Sequence, residues 1–153
     1  MATIQKEINL KNKKAEFEYF LTQRYEAGIV LVGTEIKAIR EGKANLVDAY
    51  CRFKKEELYV FNMHIGKFSK GTHYNHDPFQ LRKLLLTKRE LKKLMAKVRE
   101  KGNTIIPTRL FISDRGLAKL EIALAHGKRQ YDKRKSIKEK DVRREMDRNY
   151  KTD

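Results

Sequence analysis

The sequence predicts a mainly β fold: a small antiparallel barrel or sandwich with inserted helices, followed by a basic C-terminal tail. Three observations carry that expectation. Apolar residues recur at every second position in AEFEYFL, VDAYCRF, LYVFNMHI and AKLEIAL, the mark of half-buried strands. Ahead of the tail, helical spacing is confined to TEIKAIREG and TKRELKKLMAKVREKG. From Gly127 the composition shifts abruptly, and twelve of the first eighteen tail residues are charged. A chain of 153 residues is long enough for one domain with a real core. Two prolines and eight glycines leave no Pro- or Gly-rich linker, and no internal repeat is visible.

Taken in order, the first dozen residues read as a loose arm ending in the basic cluster Lys11, Lys13 and Lys14. AEFEYFL reads as a strand with Phe17, Tyr19 and Leu21 on one face. GIVLVG, residues 28–33, is a β-branched run framed by glycines, as a buried strand would be. Thr34 is placed to cap a short helix that Gly42 can end. VDAYCRF, with Val47, Ala49, Cys51 and Phe53 on one face, is joined through KKEE to LYVFNMHI, in which Tyr59, Phe61, Met63 and Ile65 alternate. Two strands and four turn-like residues make a hairpin. Residues 66–83 read as a loop. The clearest helix follows LLL: Thr87 and Glu90 form a capping box, Leu91, Leu94, Met95 and Val98 make the apolar stripe, and Gly102 stops it. TIIPTRLFIS is a strand in which Pro107 marks an edge or bulge, and AKLEIAL places Ala118, Leu120, Ile122 and Leu124 on one face. Six or seven short strands with two helices fit a barrel or sandwich of the OB type. The body spans residues 1–126 and the tail 127–153.

Net charge is +16; the tail holds eleven Lys/Arg against six Asp/Glu, leaving +11 for residues 1–126. Charge so widely spread favours nucleic acid as partner, because neutralising phosphates releases counterions. An anionic membrane is disfavoured, since no segment pairs a broad apolar helical face with a basic one. Cys51 is the single cysteine, so no intramolecular disulfide framework exists. MATIQKEINLKNKK has no signal-like apolar run and no segment reaches transmembrane length, so a cytoplasmic location is expected.

Chemistry is poorly supported. His76 beside Asp77 in NHDP reads as a turn, His64 as a surface or satisfied histidine, and Cys51 as a small core residue. No phosphate loop, dinucleotide fingerprint, paired-cysteine metal spacing or serine elbow is present, so neither an enzyme nor a metal or cofactor protein is expected. Aromatics among basic residues suit stacking on unpaired bases: Tyr131 in KRQYDKR, and Phe68, Tyr74 and Phe79 among Lys67, Lys70, Arg82 and Lys83. The tail alone divides evenly between solvated disorder and polyanion binding; Val142, Met146 and Tyr150 would line one face if it became helical.

NKKAEFEYF, YEAGIVLVGTEIKAIREGKANLVDAY, NHDPFQLRKLLL and GKRQYDKR, in this order, resemble the SsrA-binding (SmpB, small protein B) family over residues 10–148. One departure is Thr87, where many members carry His or Asn. The resemblance implies an OB-like antiparallel β-barrel with two or three helices and a tail disordered in solution. It implies binding to the tRNA-like domain of transfer-messenger RNA (tmRNA) and delivery to stalled bacterial ribosomes for trans-translation, with elongation factor Tu in the delivery complex. By that similarity the RNA face includes Glu26, Leu85 and Thr87, where a carboxylate can accept from a base amino group or a 2′-OH. Arg82 and Lys83 are assigned to phosphates, with Lys13 and Lys14 converging on the same RNA. Lys128, Arg129, Lys133 and Arg134 of the tail would follow ribosomal RNA phosphates in the empty messenger channel of the small subunit. Tyr131 would stack on a base and Asp132 orient its basic neighbours. A general OB-type RNA binder and a nuclease using His76 and Asp77 remain the competing expectations.

Overall fold

The computed structural model describes residues 8–71, 74–100 and 102–127. The tail assignments at Lys128, Arg129, Tyr131, Asp132, Lys133 and Arg134, and the 142, 146, 150 stripe, lie outside the described residues. The elements run β1 (Asn9–Lys11), α1 (Lys13–Glu18), β2 (Tyr19–Ile29), α2 (Gly33–Arg40), β3 (Ala44–Asn45), β4 (Tyr50–Lys54), β5 (Glu57–Phe61), β6 (His64–Ile65), β7 (Arg82–Leu85), α3 (Lys88–Val98), β8 (Asn103–Ile112) and β9 (Ala118–Gly127).

All pairings are antiparallel, and their order β8-β4-β5-β7-β2-β9 returns to β8, closing a ring of six strands. Closure removes free sheet edges, which is the OB-like solution predicted from the sequence. The long β8 serves two partners on its second edge: β4 through Cys51↔Ile105, and β1 through Asn9↔Phe111 to Lys11↔Arg109. Between them the β8–β9 register shifts at Pro107/Arg109, so the proline that cannot donate to a ladder sits at a bulge.

The interior follows strand parity. Ala27, Leu58, Val60, Leu84, Ile105, Leu110, Leu120 and Ile122 point inward and form one core with Ala38 and Ile39 of α2 and Leu94 of α3. Thr87 caps α3 as its sequence requires, and Gly102 takes the left-handed φ of +88° that stops the segment.

Five local readings change. AEFEYFL opens in helix α1 and becomes strand only at Tyr19. Asn12 causes this: its Oδ1 accepts from Ala15 N at 3.2 Å, and its Nδ2 donates to Leu46 O at 3.1 Å and Pro107 O at 2.9 Å. The helix then buries Ala15 against Ile106 and Ala125, outside the barrel. The GIVLVG run ends its strand at Ile29, leaving Val30 and Val32 exposed. The α2 start belongs to Glu35, which accepts from Val32 N at 3.0 Å, while Thr34 hydroxyl meets His76 Nδ1 at 2.9 Å. In β5 the buried phase is Leu58 and Val60, not Tyr59 and Phe61; Asn62, with φ +59°, resets the parity so that Met63 and Ile65 turn inward. Finally, the predicted loop 66–83 ends two residues early: RKLL is strand β7.

Arg82 and Glu35 are both fully withdrawn from solvent and form an ion pair through Arg82 Nε. Arg82 also donates from Nη1 to Met63 O at 2.6 Å and from Nη2 to Pro78 O at 3.1 Å. Removing one partner strands a buried charge. Glu35→Ala is therefore expected to cost about 3–5 kcal/mol in a urea melt, and Asn12→Ala about 1–3 kcal/mol through its orphaned backbone partners. Burial pushes the Cys51 thiol well above its ordinary pKa. A thiol reagent should label Cys51 only as fast as the native protein opens; rapid labelling of folded protein would contradict this placement.

Candidate nucleic-acid interface

The parity that fills the core also sets what each strand shows outside. Ala27 points inward on β2, so Glu26 and Gly28 point outward; Arg82 and Leu84 point inward on β7, so Lys83 and Leu85 point outward. Cross-strand register then assembles two outward rows. One reads Lys11, Arg109, Glu121, Glu26 across β1, β8, β9 and β2. The next reads Asn9, Phe111, Lys119, Gly28, Leu85, extending onto β7. Lys83 faces Tyr59, which in turn faces Arg52.

The first row carries a connected set of charges. Arg109 Nε donates to Glu121 Oε2 at 2.6 Å, and Arg109 Nη2 stands 4.0 Å from Glu26 Oε1. Arg24 approaches the other Glu121 oxygen at 3.6 Å and Glu16 of α1 at 4.0 Å. The Arg109 guanidinium lies over the Phe111 ring, 4.2 Å from its centroid. In the second row, a Cβ at Gly28 would come 3.3 Å from Leu85 Cβ. Glycine thus lets the exposed Leu85 lie close to the β2 backbone.

Lys83 Nζ donates to Glu57 Oε1 at 2.9 Å, while Tyr59 hydroxyl donates to Glu57 Oε2 at 2.9 Å. Both hydrogen bonds, with Lys83 the larger influence, hold the Glu57 carboxyl below its ordinary pKa. The same carboxylate raises the pKa of Lys83 and that of Tyr59. At neutral pH the lysine is therefore charged but engaged.

The structure brings Glu26, Lys83 and Leu85 to one outer surface, with Thr87 exposed two residues beyond Leu85. The Thr87 hydroxyl is committed to its helix, accepting from Glu90 N at 3.2 Å. Arg82 must be removed from the phosphate-binding set: the inward parity of β7 buries it, and its donors serve Glu35, Met63 and Pro78. Lys13 and Lys14 sit apart from the rows on α1, where Lys14 reaches Asp48 at 3.3 Å. Lys11, read from the sequence only as part of a basic arm, joins this surface, and sequence reasoning missed Arg109, Phe111 and Lys119 as members of it. Their signal was available in the outward phase of TRLF and AKLE, the residues between those assigned to the core. A separate stretch of exposed Lys88, Arg89, Lys92, Lys93 and Lys97 covers the outer side of α3.

The groups weighed for catalysis are occupied. His76 is buried, with Nδ1 on Thr34 hydroxyl and Nε2 2.8 Å from Ile65 O; it ties the 66–81 segment to α2 and β6. Among the described residues, no group of three or more His, Cys, Asp or Glu side chains could hold a metal ion, and no helix is long and apolar enough to cross a membrane.

The family described as "SmpB protein" matches residues 9–152. The SsrA-binding protein of Cytophaga hutchinsonii is 61% identical over 145 residues, covering 95% of both chains. That of Christiangramia forsetii is 57% identical over 141 residues, 92% of this chain and 90% of the other. The more distant SsrA-binding protein of Thermoanaerobacter pseudethanolicus keeps 48% identity over 151 residues, 99% of this chain and 96% of its own. A solved chain described under "tmRNA-SmpB: a journey to the center of the bacterial ribosome" superposes with a TM-score of 0.68 at 43% identity, covering 79% of this chain and 85% of that one. With a family match over nearly its whole length and relatives of such identity, the chain belongs to the SmpB family of SsrA-binding proteins.

Proposed function

We propose that this protein binds the tRNA-like domain of tmRNA through the outer face bearing Glu26, Lys83, Leu85 and Thr87, and takes part in trans-translation on the bacterial ribosome. Family membership supports the partner. The observation that carries the choice of face is the register: Glu26 stands two residues from Gly28, whose cross-strand partner is Leu85. A carboxylate, an apolar side chain and a lysine within one strip can accept from a base or ribose, cover an exposed base and meet a phosphate. A face of lysines alone would offer only the last.

Lys13 and Lys14 join this reading as a flanking contact from α1. The tail is proposed to act on the small ribosomal subunit, with Lys128, Arg129, Lys133 and Arg134 following rRNA phosphates, Tyr131 stacking and Asp132 orienting them, so that it senses an empty messenger channel. Elongation factor Tu is proposed as a third member of the delivery complex. The work is cytoplasmic and non-catalytic, an adaptor's role; the occupied ring nitrogens of His76 and the raised pKa of buried Cys51 favour it over hydrolysis.

The test compares full-length protein with a chain ending at Gly127, each titrated against the tRNA-like domain and an ordinary tRNA across a salt series. Both forms should prefer the tRNA-like domain, and the shortened chain should lose tagging on stalled ribosomes. Equal affinity for both RNAs would reduce the protein to a general polycation. Glu57→Gln removes the carboxylate that holds Lys83; RNA affinity should rise several-fold at low salt, and the gain should fade as salt screens it. Unchanged affinity would exclude Lys83 from the contact. Lys83→Ala should weaken binding and reduce the salt slope by about one unit.

A further inference from the structure

The reading above leaves Arg109 and Phe111 without a role, and their geometry is more than sheet stabilisation requires. We infer that the Arg109 guanidinium, laid over Phe111 beside Glu26, is a stacking platform for one unpaired RNA base bearing an exocyclic amino group. This deepens the proposed function and rests on it.

Three observations point to a base. Arg109 is fixed from below and from the side. Its guanidinium carbon is 4.2 Å from the Phe111 centroid, and Nε is anchored to Glu121 at 2.6 Å. Its side chain still keeps about a third of its surface in solvent, 34%. A flat, weakly hydrated cation with one face on a ring and part of its surface open is the kind of group on which nucleobases stack. Second, Glu26 is beside the platform but not consumed by it. Its nearest oxygen is 4.0 Å from Arg109 Nη2, beyond hydrogen-bonding distance, and its side chain is 62% exposed. A base stacked on Arg109 would bring an amino group to that carboxylate, which accepts and cannot donate. Third, the flanks suit the rest of a nucleotide. Lys11 and Lys119 hold the neighbouring positions in the two rows and make no ion pair among the described residues. Gly28 lets Leu85 lie close against the β2 backbone, an apolar neighbour for the sugar edge.

A ladder of cross-strand ion pairs would need only the charge of Arg109. The two roles separate in Arg109→Lys, which retains the charge and can still reach Glu121 but lacks the planar surface. Affinity for the tRNA-like domain should fall by about tenfold or more, as loss of one stacked base does. The salt slope should be unchanged because the phosphate charge count is the same, and the melting temperature should stay near that of the native protein. Phe111→Leu, which keeps the site apolar but removes the ring beneath the guanidinium, should show the same loss. Full-length protein is used throughout. If both folded variants bind within twofold of the native protein, or if the loss appears only as a changed salt slope, the platform is refuted. Preference of the native protein for the tRNA-like domain over ordinary tRNA is read in the same titrations. Its absence would count against the proposed function, whereas a variant-independent affinity counts against the platform.

Discussion

The outer face depends on a charge that never reaches it. Arg82 enters the barrel wall with its guanidinium inward, where Glu35 of α2, Met63 O and Pro78 O receive its donors. A buried arginine is tolerable only with such complete pairing. Once it is satisfied, β7 has a single register open to it. A slip of one residue would expose Arg82 and Leu84 and drive Lys83 and Leu85 into the core. The same pair ties α2 to the segment between Met63 and Pro78, so three parts of the chain distant in sequence share one anchor. The position of Leu85 against Gly28 is therefore fixed from inside the barrel.

Two kinds of basic surface result, and they do different work. The exposed lysines and arginine along α3 form a nearly single-sign stripe, suited to phosphates of any sequence. Around Glu26 charges of both signs meet: Lys11, Arg109, Glu121, Glu26 in one row, with Arg24 and Glu16 completing the set. Such a mosaic is weaker as an electrostatic attractor and better as a discriminator, because it offers acceptors as well as donors at fixed positions. A chain with net charge +16 has attraction to spare. On the proposed reading, what distinguishes one RNA from another comes from the mosaic.

Much of this was legible in the sequence, and most of the exceptions depend on partners distant along the chain. The inward phase of AKLEIAL, the capping box at Thr87 and the bulge at Pro107 are local patterns that the fold preserves. Asn12 is different: nothing near it in sequence announces that its side chain will bond Leu46 O and Pro107 O, yet those bonds turn KKAEFE from strand into helix. Asn62 likewise shifts the parity of a strand whose alternation looked continuous. Arg82 was legible in principle, since it shares the parity of Leu84, but a basic residue next to Lys83 reads as surface until its partner is known. Glu35 lies 47 positions away. Arg109 and Phe111 were overlooked for a simpler reason, that strand patterns are usually read for the face that is buried.

Closure of the barrel makes the remaining point. Every residue of the two outward rows lies on a strand, and each of those strands is paired or anchored through the core. The side chains of these rows therefore need little ordering if they meet RNA, and ordering is a large part of what weakens an interface. Arg109 is the sharpest case: Phe111 and Glu121 already hold the orientation that a base would otherwise have to impose. Discrimination can then come from whether an RNA presents an unpaired base at the right place on a rigid body. That is a property of RNA shape, and on the proposed reading it lets a protein so highly charged prefer one folded RNA over the bulk.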